Sequence, residues 1–308
     1  MRCLVTGASG FLGSHLVRKL VEDGHSVTVL LRPGSDAWRL DGVLSQVRCI
    51  EGSLKDAGKI AGGLREEPVE VAFHLAWSGV TGEERNSAEQ ITRNVPGSLA
   101  LWRVLRDTGC ETLISVGSQA EYGPHCGILH ERLPTNPVTA YGVAKAALCA
   151  LLQRLCVLGG MRFVWLRLLS AYGPADDERH MVPSLIRALL RRERPALTAG
   201  EQIWDYLYVA DAASALCAAM ESRTSGVFNL GSGRAIALRE FILAVRDCID
   251  SSLPLGFGET PYRPDQVMHL EADISALRAA TGWAPKIAIE EGVRRTVEWY
   301  RDRSNEGA

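Results

Sequence analysis

Tyr141 and Lys145, in Tyr141-Gly-Val-Ala-Lys145, stand four residues apart and share one face at the start of a predicted helix. A lysine ammonium beside a phenol favours the phenolate and brings the tyrosine closer to what proton transfer at neutral pH requires. Ser118, in Ser115-Val-Gly-Ser118, follows an apolar run, where a sheet presents active-site groups. Its hydroxyl is suited to polarising a carbonyl or steadying a developing alkoxide. A third feature, Gly7-Ala-Ser-Gly10-Phe-Leu-Gly13, lies between the apolar Cys3-Leu4-Val5 and a helical pattern, Phe11-Leu12, Leu16-Val17, Leu20-Val21. A strand that turns into a helix through close glycines holds a phosphate, because the backbone can approach the anion and the helix N-terminus offers free N–H groups. The spacing is one residue wider than the Gly-x-Gly-x-x-Gly dinucleotide fingerprint. The three features together are far more specific than any one of them.

These groups need strands to carry them. Apolar runs at 26–31, 47–50, 69–75, 112–116 and 163–168 alternate with helical stretches, of which 84–106 and 138–158 are the longest. The alternation predicts a Rossmann-type α/β fold, a doubly wound parallel sheet with ligands at the carboxyl ends of its strands. Past Gly173-Pro174 the elements shorten, which predicts a smaller C-terminal α/β substrate lobe. The expected division is a dinucleotide-binding domain over 1–170, to which roughly 205–230 returns, and a substrate lobe over 171–308.

A net charge of -2 over 308 residues suggests neither a nucleic-acid nor a membrane partner. No apolar stretch reads as long enough to span a bilayer, and strand one leaves no room for a signal peptide, so a cytoplasmic enzyme is expected. The eight cysteines form no Cys-x-x-Cys pair and read as reduced thiols, and the seven histidines form no ligand-spaced cluster, so no metal is expected.

At the end of strand two an acidic residue would accept bonds from adenosine ribose hydroxyls, whereas an arginine would suit a 2′-phosphate. The chain has Arg32 there, helped by Ser35, with no carboxylate before Asp36, which points to NADP(H) over NAD.

The sequence resembles the extended short-chain dehydrogenase/reductases, in particular the nucleotide-sugar epimerase/dehydratase/reductase group. The likeness is carried by Val5-Thr-Gly-Ala-Ser-Gly-Phe-Leu-Gly13, His74-Leu-Ala76, Arg93-Asn94-Val95, Ser118-Gln-Ala-Glu-Tyr-Gly123 and Tyr141-Gly-Val-Ala-Lys145. It continues through Ala171-Tyr-Gly-Pro174, Asp205-Tyr-Leu-Tyr-Val209 with Asp211, Asn229-Leu-Gly-Ser-Gly233, Arg263-Pro-Asp265 and Gly282-Trp-Ala-Pro285. The resemblance implies that Ser118 and Tyr141 handle the sugar, with Tyr141 as general acid/base, and that Lys145 binds the nicotinamide ribose. It implies a cofactor site of Gly7, Ser9, Gly10, Phe11, Leu12 and Gly13, then Ser53, Leu54, Leu75, Ala76, Trp77 and Asn94. By the resemblance Arg263 would clamp the diphosphate of a nucleoside-diphosphate sugar, whereas Trp204 stands where relatives carry a second clamping arginine and would stack on a base or pack. Gln119, Ser170, His180 and Arg187 are further substrate candidates, and the chain would pair as a homodimer.

Departures from the group narrow the reaction. The dehydratases carry an Asp-Glu pair where Gln119 and Ala120 stand, and the 3,5-epimerising reductases carry a cysteine at Ala120. Neither residue can move a proton, so hydride transfer at one sugar carbon remains. Glu121 beside them reads either as an acid/base or as a structural carboxylate. A net reductase draws on NADPH, so Arg32 favours reduction of a nucleoside-diphosphate 4-keto-6-deoxyhexose, with an NAD-dependent 4-epimerase as the alternative. A non-catalytic dinucleotide sensor is the remote third.

Overall fold

The computed structural model describes residues 1–125, 127–262 and 266–306. Strands β1 (Arg2–Thr6), β2 (Ser26–Leu31), β3 (Arg48–Glu51), β4 (Val71–His74) and β5 (Thr112–Ser118) alternate with helices α1 (Phe11–Glu22), α2 (Ala57–Glu66) and α3 (Val95–Asp107). Then come β6 (Ile128–Leu129), α4 (Ala140–Leu158), β7 (Arg162–Leu168), β8 (Ser170–Tyr172), α5 (Met181–Leu190) and β9 (Ala196–Leu197). β10 (Ile203–Tyr208), α6 (Val209–Glu221), β11 (Gly226–Leu230), β12 (Ala235–Ala237) and α7 (Leu238–Ile249) follow. Last are β13 (Gly256–Phe257), β14 (His269–Ala272), α8 (Ser275–Thr281) and α9 (Ile289–Glu306).

Seven parallel strands form one sheet in the order β11-β7-β5-β4-β1-β2-β3. Helices cover both faces of this Rossmann sheet, so its central strands are apolar on both sides; Cys3, Leu4 and Val5 of β1 are all fully buried. α1 and α6 pack on one face and α2, α3 and α4 on the other. The strand order reverses between β1 and β4, which opens a crevice at their carboxyl ends. The site must form there.

A second, mixed sheet runs β12-β10-β14-β6, with β8 beside β10. Of the 205–230 stretch, β11 joins the Rossmann sheet and α6 packs on it, whereas β10 lies in the second sheet. Most strands of that sheet are two to four residues long, too short to show a period in sequence.

Two expectations change. The helix expected over 84–106 begins as the 3-10 turn Gly82–Asn86, breaks, and resumes as a π-turn, Gln90–Asn94, that feeds α3 at Val95. The π-turn is set by side chains the periodicity does not see, because it buries both Gln90 and Asn94. Second, α4 is long and apolar enough to cross a membrane by length and composition. Its Ala144, Leu148, Leu152 and Cys156 are buried, the last three packed under the sheet, and the same helix carries Tyr141 and Lys145.

The later motifs are explained by backbone that needs partners. Asp205, fully buried, accepts the N–H groups of Ser232 (2.6 Å), Gly233 (3.0 Å) and Ala272 (3.2 Å), so it ties the turn after β11 to β10 and β14. Asp211 accepts the N–H groups of Lys286 and Ile287, and Trp283 donates to Ser214. Asn229 joins Tyr122 to the Leu129 carbonyl. Replacing Asp205 by Ala strands three buried donors. We expect a loss of about 3 kcal/mol, read from the urea midpoint of Asp205→Ala against wild type.

Candidate active site

The glycine loop leaves no room for side chains. A Cβ on Gly13 would stand 2.1 Å from the Gly7 carbonyl oxygen, and one on Gly7 would stand 2.7 Å from the Ala76 nitrogen. Gly7 also has φ +74°, in the left-handed region. This packing seats α1 against β1 and β4. Gly10 caps α1 in extended geometry with no side-chain bond to the first turn, which leaves amides for an anion. Gly7, Ser9 and Gly10 then floor a cavity of about 680 Å³, within the range that holds a small-molecule ligand. A dinucleotide fits this cradle.

The cavity gathers most of the expected cofactor residues. Ser53 and Leu54 line it after β3, Leu75, Ala76 and Trp77 after β4, and Asn94 from the π-turn. Phe11, Leu12 and Gly13 build α1 behind the loop, with Leu12 and Gly13 buried. Arg32 and Ser35 line the end beyond β2, together with Asp36 and Arg39, which the sequence reading did not place. Asp36 brings a carboxylate into the same wall as Arg32. The NADP(H) expectation rests on Arg32 at the end of β2 with no carboxylate before Asp36; Arg32 and Asp36 both line this cavity. Lys55 and Arg93 also line the cavity; Arg93 was visible in sequence only as a neighbour of Asn94.

Ser118 ends β5, and Tyr141 and Lys145 open α4, so strand and helix bring the three together. The Ser118 hydroxyl accepts the Ala120 N–H at 3.1 Å. Lys145 is buried, donates to the Val116 carbonyl at 2.7 Å, and stands 3.9 Å from the centre of the Trp77 ring. Trp77 meets Tyr141 edge to face, with ring centres 6.1 Å apart. Burial pushes the Tyr141 phenol upward; the Ser118 hydroxyl and the Arg85 guanidinium act against this, and Glu121 adds to it. Burial brings Lys145 down to about 7, with Glu121 opposing.

A polar network behind the triad fixes its walls. His74 is held at one nitrogen by Thr6 and at the other by Ser98, each at 2.8 Å, and burial with the Lys145 charge keeps it neutral, down to about 3. Asn94 clamps the Ser78 backbone at both N–H and carbonyl. Gln90 accepts the Trp77 indole N–H at 2.7 Å and donates to the Gly79 and Glu84 carbonyls. Glu121 proves structural. It is fully buried and accepts the Ser118 N–H, the Trp165 indole N–H and the Arg167 guanidinium, all within 2.9 Å.

The expected substrate residues are less gathered. Gln119 opens the short turn after Ser118, and Ser170 opens β8 opposite Tyr206. His180 caps α5 and bonds Asp176, and Arg187 pairs with Glu178. Trp204 gives its indole N–H to the Val267 carbonyl and tilts against Tyr206, so the ring is used in packing. Arg263 lies outside the described residues.

A model of the NAD dependent epimerase/dehydratase family matches residues 3–231. The chain belongs to this family. It is 30% identical to a UDP-glucose 4-epimerase of Mycolicibacterium smegmatis, over 99% of this chain and all of that protein. A UDP-N-acetylglucosamine 4-epimerase of Methanobrevibacter ruminantium, solved with UDP-N-acetylmuramic acid, superposes with TM-score 0.89 at 27% identity over 98% of each chain. A UDP-glucose 4-epimerase of Thermus thermophilus, solved with NAD, superposes with TM-score 0.84 at 28% identity over 98% and 99%. These relatives lend nothing to a preference for NADP, and their names favour 4-epimerisation over one-way ketone reduction. As a member of the epimerase/dehydratase family the chain is an enzyme of the nucleotide-sugar, dinucleotide-dependent kind.

Lys145 makes the cofactor-free protein sensitive to pH. With the folded value near 7 and the ordinary value at 10.5, the unfolded chain binds more protons between them, so folding stability rises with pH across that window. We expect Lys145→Met to remove this rise. The difference in unfolding free energy between variant and wild type, from urea titrations, should be largest near neutral pH, on the order of a few kcal/mol, and shrink towards pH 10.

Proposed function

We propose that the protein is an NAD-dependent nucleoside-diphosphate-sugar 4-epimerase working through a transient 4-ketone. The observation that carries the reading is the pairing of a Ser118–Tyr141–Lys145 site with Gln119 and Ala120, which cannot eliminate water, in a chain matched end to end by 4-epimerases. When bound, the nicotinamide supplies the acceptor and donor of the C4 hydride. Tyr141 takes the proton of the sugar 4-hydroxyl and returns it to the same oxygen, and the Ser118 hydroxyl holds that oxygen in line. Lys145 favours the phenolate and offers donors to the ribose. Trp77 and the Asn94-clamped loop wall the reacting centre from water. Arg32 favours a second reading, one-way reduction of a nucleoside-diphosphate 4-keto-6-deoxyhexose by NADPH; Asp36 in the same wall favours the first. Val143, Leu151 and Leu158, exposed at seven- to eight-residue spacing on α4, support a homodimer across that helix.

The protein should release NAD on denaturation and interconvert a 4-epimeric pair, with UDP-hexoses first in the panel, without net change in nicotinamide absorbance. Steady NADPH consumption with a 4-ketohexose would establish the reductase instead. Tyr141→Phe should lower kcat at least about 100-fold with the coenzyme still bound; full activity in that variant would remove Tyr141 from the chemistry.

A further inference from the structure

Arg85 sits on the 3-10 turn Gly82–Asn86, within the 84–106 stretch expected as one helix. Its guanidinium carbon lies over the Tyr141 ring, 5.1 Å from the ring centre. Its Nε is buried with no hydrogen-bond partner among the described residues. Neighbouring Glu89 pairs with Arg93 instead. The turn is pinned on both sides of Arg85. Gln90 donates to the Glu84 carbonyl at 2.9 Å, and Asn86 accepts the N–H of Ala140, the residue before Tyr141, at 3.1 Å. Arg85 and Tyr141 are thus held to each other by the frame that holds Trp77.

The other groups facing the phenol leave a gap that this cation fills. Lys145 from α4 lies farther from the ring, 6.0 Å from its centre, and donates a hydrogen bond to the Val116 carbonyl. Glu121, from the turn after β5, is negative and opposes a phenolate, although its own bonds run to Ser118, Trp165 and Arg167. Ser118 contributes a neutral hydroxyl. A guanidinium keeps its charge across the working range, whereas a buried ammonium sheds it readily. A cation over an aromatic face is attracted to the ring, and a negative charge on that ring adds to the attraction.

We propose that Arg85 is a positioning residue for proton transfer, a second and permanent cation that seats the Tyr141 ring and favours its phenolate. This rests on the reading of Tyr141 as the proton carrier. The test is an ultraviolet phenolate titration of the holoenzyme in wild type, Arg85→Gln and Arg85→Lys, each paired with its Tyr141→Phe counterpart so that the difference isolates one tyrosine. We expect Arg85→Gln to raise the midpoint by about one pH unit, roughly tenfold less phenolate at fixed pH, and Arg85→Lys to restore most of it. The acid limb of kcat should move in step, with KM little changed. An Arg85→Gln midpoint equal to wild type overturns the proposal, whatever happens to kcat. The titration needs no sugar, so a shifted midpoint in a protein that turns over no nucleotide sugar sustains Arg85 and removes the 4-epimerase reading.

Discussion

The arrangement depends on one costly feature, a lysine ammonium buried at the junction of β5, β4 and α4. A charge taken from water must be met by polar groups or it is neutralised. Lys145 finds the Val116 carbonyl, the face of Trp77 and, farther off, the negative charge of Glu121. Each of those partners then needs its own anchor. Trp77 is held by Gln90, Gln90 by the loop carbonyls it meets, and Glu121 by Arg167 and the indole of Trp165. Gln90 and Asn94 of the π-turn both bond the loop of Ser78 and Gly79.

The second constraint is steric. Between β1 and α1 the backbone approaches itself so closely that Gly13 and Gly7 admit no Cβ, and that approach sets the floor on which a diphosphate can rest. Both constraints act at the carboxyl ends of parallel strands, the glycines after β1 and Lys145 beside β5. Their separation is fixed by the parallel sheet.

The second lobe follows another rule. Asp205 of β10 and Asp211 of α6 accept backbone N–H groups of later loops, and buried Asp176 also meets the His180 ring, whereas Glu121 after Ser118 meets a guanidinium. Motifs that look functional in sequence, such as Asp205-Tyr206 and Gly282-Trp283, are therefore accounted for by loops that would otherwise leave donors unpaired. Trp204 belongs with them.

Much of the fold was legible from residue order alone. Apolar runs that alternate with helical patterns, the three-residue glycine spacing and the Tyr-x-x-x-Lys pair are local features, and local features survive in a one-dimensional string. Ser118, Tyr141 and Lys145 could be named because each sits at the end of a regular element. Asp36 and Arg85 could not be assigned. They lie in irregular turns, and their meaning depends on which wall or ring the turn is pressed against. The tertiary structure alone decided that Glu121 is a strut rather than an acid/base, and that Arg85 lies over the Tyr141 ring. Such facts are distances between residues tens of positions apart, fixed by packing and hydrogen bonds that no local pattern encodes.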